Sequence, residues 1–123
     1  MLTTLAKLEN FVISAADYIF CDEAYMLSIN QTYLSHDDDT DIITFDYSSD
    51  GFLKGEIYVS VPMVSHNAKL YDVPKAEELA RVCFHGLLHM CGYNDKTADE
   101  QSQMRSKEQF YLSMFHVKHS PHV

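Results

Sequence analysis

Apolar residues recur along this chain with two periods, and the switches between them mark out its elements. Leu2, Leu5, Ala6, Leu8, Phe11 and Val12 follow helical spacing, which predicts an amphipathic helix from Met1 to about Ser14. Asp17 to Cys21 is short, aromatic and apolar, the pattern of a strand. Asp22 suits an N-cap, and the helix it starts runs to about Tyr33 with Tyr25, Met26, Ile29 and Tyr33 turned inward. His36 to Asp41 reads as an acidic loop. Thr40 to Asp46 then alternates, with Ile42, Thr44 and Asp46 opposite Ile43 and Phe45. Turn chemistry at Ser48-Ser49-Asp50-Gly51 leads to a further strand, Gly55 to Ser60, so the two strands predict an antiparallel hairpin.

Past Pro62 a short helix runs towards Tyr71, and Pro74 suits the first turn of the next one, with Glu77 and Glu78 near its positive end. From Leu79 to Cys91 that helix is apolar nearly all round, the mark of a buried helix. Within it Glu78, Arg81, His85 and His89 form one polar stripe. Thr97-Ala98-Asp99-Glu100 fits a capping box that starts a last helix, with apolar Met104, Tyr111, Leu112, Met114 and Phe115. Beyond Phe115 the chain turns polar and histidine-rich, and residues 116–123 read as a flexible tail. The whole predicts an α/β (α+β) fold: a small mixed sheet with an antiparallel hairpin, about five helices, and the polar stripe on a buried central helix.

Composition narrows this picture without redirecting it. A chain of 123 residues, 46% of them hydrophobic, fits one domain with a real core. No run approaches the roughly 20 apolar residues of a membrane span, and no basic, cleavable leader begins the chain, which predicts a cytoplasmic protein that does not engage a membrane. Three cysteines, Cys21, Cys83 and Cys91, make an odd count without a CxxC pair, and they read as buried free thiols in a reducing compartment. The net charge of −9 argues against non-specific nucleic-acid binding by the surface as a whole, leaving room for a local patch.

The polar stripe carries the chemistry. Buried polar groups need partners, and a metal in a cleft would supply them. His85 and His89, four residues apart, share one helix face with Cβ atoms about 5–6 Å apart. That spacing lets both imidazoles reach one ion at the ~2.0–2.1 Å of zinc–nitrogen bonds. Gly92 falls where a left-handed cap would turn the chain back, which brings Asp95 in as a third ligand. Three protein ligands leave a tetrahedral position for water, the arrangement of a catalytic rather than a structural zinc site. Cys91 points off the stripe, into the core.

Other metal and phosphate patterns fail. Asp37-Asp38-Asp39-Thr40-Asp41 opens like a calcium loop, but Ile42 replaces its glycine and Ser48 its terminal glutamate. His116, His119 and His122 are loosely spaced, and His36 and His66 have no evident partner. The histidine pair is not that of a zincin, because Gly86 stands where the glutamate base of His-Glu-x-x-His would be.

Gly55-Glu-Ile-Tyr-Val-Ser60, together with His85-Gly-Leu-Leu-His89-Met-Cys-Gly92-Tyr93-Asn94-Asp95, resembles the YbeY family of bacterial rRNA maturation endoribonucleases, whose signature is close to H-G-x-L-H-L-x-G-Y-D-H. Asn30-Gln-Thr-Tyr33 and Asp37 through Phe45 are similar to that family's N-x-x-Y…D-x-P-T-D-V-L-S-F segment, and the likeness spans roughly Asp17 to Phe115. It implies a metal-dependent, single-strand-preferring endoribonuclease of small-subunit rRNA maturation and ribosome quality control. Its zinc ion would sit on His85, His89 and Asp95, and its partners would be rRNA and the small subunit or its assembly factors. The chain departs from the pattern at three places. Asp95 replaces the third histidine, which should weaken the ion as a Lewis acid and tilt preference towards harder divalent metals. Leu34 replaces an arginine and Asp39 a proline. The N-terminal stretch is also shorter than the family's.

Arg81, one turn before His85, offers a substitute phosphate contact, with an ion pair to Glu77 or Glu78 as the alternative. The sequence shows no general base, and an RNase can use the substrate's own 2′-hydroxyl instead. Two other readings stand beside the nuclease: a ribosome-assembly binding factor with a structural or vestigial metal, and a metallohydrolase with another substrate.

Overall fold

The computed structural model describes residues 2–34 and 41–119, with residues 33, 34 and 116–119 described by their backbone alone. Residues 35–40 of the acidic loop, with His36 and Asp39, lie outside the described residues, as do residues 120–123 with His122. Among the described residues the order is α1 (Leu2–Leu8), β1 (Val12–Cys21), α2 (Glu23–Leu34), β2 (Ile42–Asp46), β3 (Phe52–Ser60), α3 (Val61–Leu70), α4 (Lys75–Met90) and α5 (Ala98–His119). Five helices on a three-stranded mixed sheet make this an α+β fold. The last helix continues past Phe115 to His119, beyond the point where the polar composition predicts its end.

Strand β3 is central. It pairs antiparallel with β2, Ile57 opposite Thr44 and Gly55 opposite Asp46, as the hairpin pattern predicts. On its other side it pairs parallel with β1, Tyr18 beside Ile57. Parallel neighbours need a crossover, and α2 with β2 forms it.

The N-terminal expectation is corrected. Helix α1 ends at Leu8 instead of Ser14, and β1 begins at Val12 instead of Asp17. Asn10 stands at φ 68°, Asn10 N–H donates to Lys7 O at 3.1 Å and Phe11 N–H to Ala6 O at 2.8 Å. This double closure over a left-handed residue ends a helix, and asparagine tolerates it better than most residues. Phe11 and Val12 fit a helical stripe by spacing alone, but after this turn they fall on extended chain.

Two apolar layers flank the sheet. Leu53, Ile57 and Val59 are buried against Val82, Leu87 and Leu88 of α4, while Ile43 packs with Met26, Ile29 and Cys21 beneath α2. Each such side chain taken from water contributes about 1.5–3 kcal/mol. Tyr25, expected inward, is instead half-exposed beside Tyr58, their ring centroids 6.3 Å apart. Gly86 explains how closely α4 lies on the sheet. A Cβ there would stand 2.8 Å from Ile42 Cδ1 and 3.0 Å from Ile57 Cγ2, so a side chain would force these isoleucines to shift. At the position where a zincin carries its base, this chain needs the smallest residue for packing.

Local signals hold well around the rest. Asp22 Oδ1 accepts from Tyr25 N–H at 2.8 Å to cap α2. Thr97 Oγ1 accepts from Glu100 N–H at 3.1 Å while Glu100 Oε1 accepts from Thr97 N–H at 3.0 Å, a reciprocal capping box. Pro74 sits one position earlier than expected, as the N-cap of α4 rather than in its first turn.

Candidate metal centre

Helix α4 lays its apolar side on the sheet and on α5, which leaves the His85–His89 face at the margin beside β2. The two imidazoles lie 5.4 Å apart between centroids, nearly perpendicular. Directly after them the helix stops as the glycine predicts: Gly92 has φ +107°, and Tyr93 N–H reaches Leu88 O at 3.1 Å while Gly92 N–H reaches His89 O at 3.0 Å. The chain folds back over its own last turn. Asp95 thereby meets both histidines, with Oδ2 3.2 Å from His85 Nε2 and Oδ1 3.6 Å from His89 Nε2.

These spacings fit an ion. Ligands about 2.1 Å from a tetrahedral centre stand roughly 3.4 Å apart, and one atom of each of His85, His89 and Asp95 lies within 4.8 Å of the others. The donor set of two imidazoles and a carboxylate is that of catalytic zinc sites with one position left for water or substrate.

What the sequence did not reveal is the group behind His85. Glu108 of α5, 3% exposed at its side chain, takes His85 Nδ1 at 2.6 Å. An imidazole that donates Nδ1–H to a carboxylate presents Nε2 as its lone-pair nitrogen, the support that metal-binding histidines usually have. Glu108 is itself held by Arg81, whose Nη1 donates to Oε1 at 2.9 Å. The same guanidinium grips Glu78 with two hydrogen bonds, Nε to Oε1 at 2.9 Å and Nη2 to Oε2 at 2.6 Å. Arg81 thus forms the ion pair offered as the alternative to a phosphate contact. Its third carboxylate neighbour, Asp41, is 3.9 Å away.

The electrostatics follow from these contacts. Burial pulls the His85 imidazole down, but the hydrogen bond and charge of Glu108, with Asp95 and Asp41 behind them, outweigh it and hold it above its ordinary value. Burial pushes Glu108 up, and here too the partners win: His85 and Arg81 keep its carboxyl below the usual range. For Asp41 burial prevails over the Arg81 and His85 charges, and its carboxyl rises. Arg81 is held further into its charged form by Glu78, against the effect of burial.

A cleft of about 400 Å³ opens on the centre, lined by Asp41, Ile42, Thr44, Asp46, Arg81, His85, His89 and Asp95 among others. The face of β2 that carries Ile42, Thr44 and Asp46 is the one read from its alternation. Cys91 stays out of the site and packs on the core's edge, and desolvation pushes its thiol up to about 12. His66 is exposed on α3, outside the cleft.

A second polar cluster lies behind the loop that bears Asp95. Glu9 accepts from Tyr93 Oη at 2.7 Å, from Lys107 Nζ at 3.1 Å and from Tyr111 Oη. It ties the end of α1 to the post-helical loop and to α5. Neither Glu9 nor Glu108 stood out by spacing. Glu108 did leave one trace, as a carboxylate within the apolar stripe Met104, Tyr111, Leu112, Phe115, where an unpaired charge would be costly.

A mixed sheet, a buried helix presenting two histidines, a returning aspartate and a carboxylate-braced imidazole define a metallohydrolase-like protein of the α+β class. A family model for endoribonuclease YbeY matches residues 2–116. The endoribonuclease YbeY of Flavobacterium psychrophilum is 51% identical over 110 residues, covering 89% of this chain and 79% of that protein. That of Flavobacterium johnsoniae is 51% identical over 102 residues, covering 83% and 73%. The solution structure of TM1509 from Thermotoga maritima superposes with a TM-score of 0.71 at 27% identity, over 95% of this chain and 77% of that one. The chain belongs to the endoribonuclease YbeY family.

Proposed function

We propose that this protein is a metal-dependent endoribonuclease that cleaves single-stranded RNA in small-subunit rRNA maturation and quality control, with zinc on His85, His89 and Asp95. The observation that carries the reading is the convergence of those three side chains on one point of an open cleft, in a chain of this family. Bound there, a divalent ion would supply Lewis acidity towards a phosphoryl oxygen and an acidified water. Glu108 holds the His85 ring in the tautomer that presents Nε2, and Arg81 holds Glu108. Gly92 sets the return of the chain that delivers Asp95. Asp41, whose carboxyl burial raises, lies in the same cleft where it can accept a proton from a nucleophile. No helix among the described residues is long and apolar enough to cross a membrane. A cytoplasmic enzyme acting on rRNA, at the small subunit or with its assembly factors, is consistent with that.

The test is cleavage of a single-stranded RNA oligonucleotide by purified protein, with and without chelator, beside His85→Ala. Metal-dependent cleavage lost in the variant is the expected result. RNA binding without cleavage in the loaded wild type would replace this reading with that of an assembly factor.

A further inference from the structure

A phosphodiester strand entering this cleft meets a predominantly acidic wall. Asp41 and Asp46 line it at β2, and Asp95 lines it from the loop after α4. The ion offsets charge at one point, but a polyanion also needs cationic contacts along its path. Two arginines line the cleft and its extension. Arg81 is spent, its guanidinium paired with both Glu78 and Glu108 at 2.6–2.9 Å. The other is Arg105.

Arg105 sits on α5 three residues before Glu108, so the two share one side of the helix. With Gln101, Met104 and Glu108 it forms the α5 wall of a recess of about 220 Å³, whose opposite wall is Arg81, His85 and Asp95. Two of the three candidate ligands therefore share this recess with the Arg105 guanidinium. Arg105 also lines a smaller recess of about 170 Å³ with Tyr71, Glu77, Glu78 and Gln109, none of which lines the first. It is exposed, and among the described residues it forms no ion pair.

We propose that Arg105 is the substrate-contacting cation of this enzyme: it binds a backbone phosphate of the RNA strand next to the one at the metal centre and leads the strand out along α5. The guanidinium fork suits two phosphate oxygens at once. Its position over the His85–Asp95 side gives the strand a direction, from the β2-lined cleft across the centre to the α5 groove. Arg81, by contrast, keeps to bracing Glu108. The inference rests on the ribonuclease reading above.

The experiment compares wild type, Arg105→Gln, Arg105→Lys and Lys7→Gln, the last removing the same charge from α1, outside the cleft. Each metal-loaded protein is titrated with a fluorescent single-stranded RNA at several salt concentrations, and kcat and KM for its cleavage are measured. Arg105→Gln is expected to weaken binding and raise KM about fivefold, with kcat within about twofold and metal content unchanged. Its log–log salt slope should be smaller by about 0.7, one phosphate contact on a single strand. Arg105→Lys should recover part of the loss, and Lys7→Gln should behave as wild type. Binding by Arg105→Gln equal to wild type, or a loss no larger than that of Lys7→Gln, overturns the assignment while leaving the ribonuclease intact. A wild type that binds RNA but does not cleave it overturns the ribonuclease reading, and the binding comparison still decides the role of Arg105. A wild type that does neither overturns both.

Discussion

Lys107 and Glu108 are neighbours on α5, yet they belong to two polar clusters of opposite kind, one partly exposed and one buried. Around Glu9, every donor ends on the carboxylate: two tyrosine hydroxyls and the Lys107 ammonium close the knot, and none of the four lines the cleft beside His85 and His89. Around Glu108, the chain of contacts passes through. Glu78 holds Arg81, Arg81 holds Glu108, Glu108 holds His85 Nδ1, and His85 offers its other nitrogen to the cleft beside Asp95. In both clusters burial pushes the carboxyl up and the partners bring it below its ordinary value. A perturbed carboxylate therefore does not distinguish structure from function here. What distinguishes them is where the network ends, on a saturated acceptor or on a ring nitrogen in an open cleft.

The largest effect is expected at the centre itself. His85→Ala should lower zinc affinity by more than about 100-fold and reduce RNA cleavage to background, since ligand loss exceeds the 10–100-fold typical of an outer partner. Cleavage that survives would move the chemistry away from the histidine pair.

The two carboxylates can then be set against each other. Glu108→Gln should weaken zinc binding by about 10–100-fold in chelator competition, because the imidazole loses its charged brace. Glu9→Gln should leave zinc affinity within about threefold, yet cost about 1–3 kcal/mol in denaturant unfolding through imperfectly paired buried donors. Equal effects on zinc would erase the distinction between the clusters.

Acidity sharpens the contrast further. Glu108 and Glu9 titrate lower in the folded chain than their ordinary 4.5, so their stabilisation is full above that value and is lost as pH falls through the folded ones. His85 titrates higher than its ordinary 6.5. In ion-free protein its contribution is full below 6.5 and fades as pH rises through the raised value. Metal binding runs the other way, because it needs the neutral ring. Zinc affinity should fall, as pH drops, at a higher pH than for an unperturbed histidine. Unfolding of chelated protein and zinc competition, both measured from pH 3 to 9, test each sign.

The smallest expected effect concerns Asp95. Asp95→His should keep the site and raise its preference for zinc over manganese several-fold, since imidazole suits zinc and carboxylate the harder ion. An unchanged ratio would mean that Asp95 does not touch the metal.

What the sequence made legible was local. The histidine pair, the Gly92 turn, the Thr97–Glu100 box and the β2–β3 hairpin each depend on residues within a few positions of one another, and each is found in place. Glu108 is 23 residues from His85, and no local period links them. Glu9 is farther still from Tyr93 and Tyr111. At the N-terminus helical spacing assigns Phe11 and Val12 to α1, and the left-handed turn at Asn10, invisible to hydrophobic spacing, ends the helix before them, with Val12 opening β1. Tyr25 followed a helical stripe and still stayed half-exposed, while Met26 and Ile29 of the same stripe are buried.

His85, His89 and Asp95 are placed to hold one ion together. The most direct measurement is the metal content of untagged protein by elemental analysis, wild type beside Asp95→Ala. About one divalent ion per chain is expected, lost or sharply reduced in the variant. No ion in the wild type, or an ion indifferent to Asp95→Ala, would contradict it.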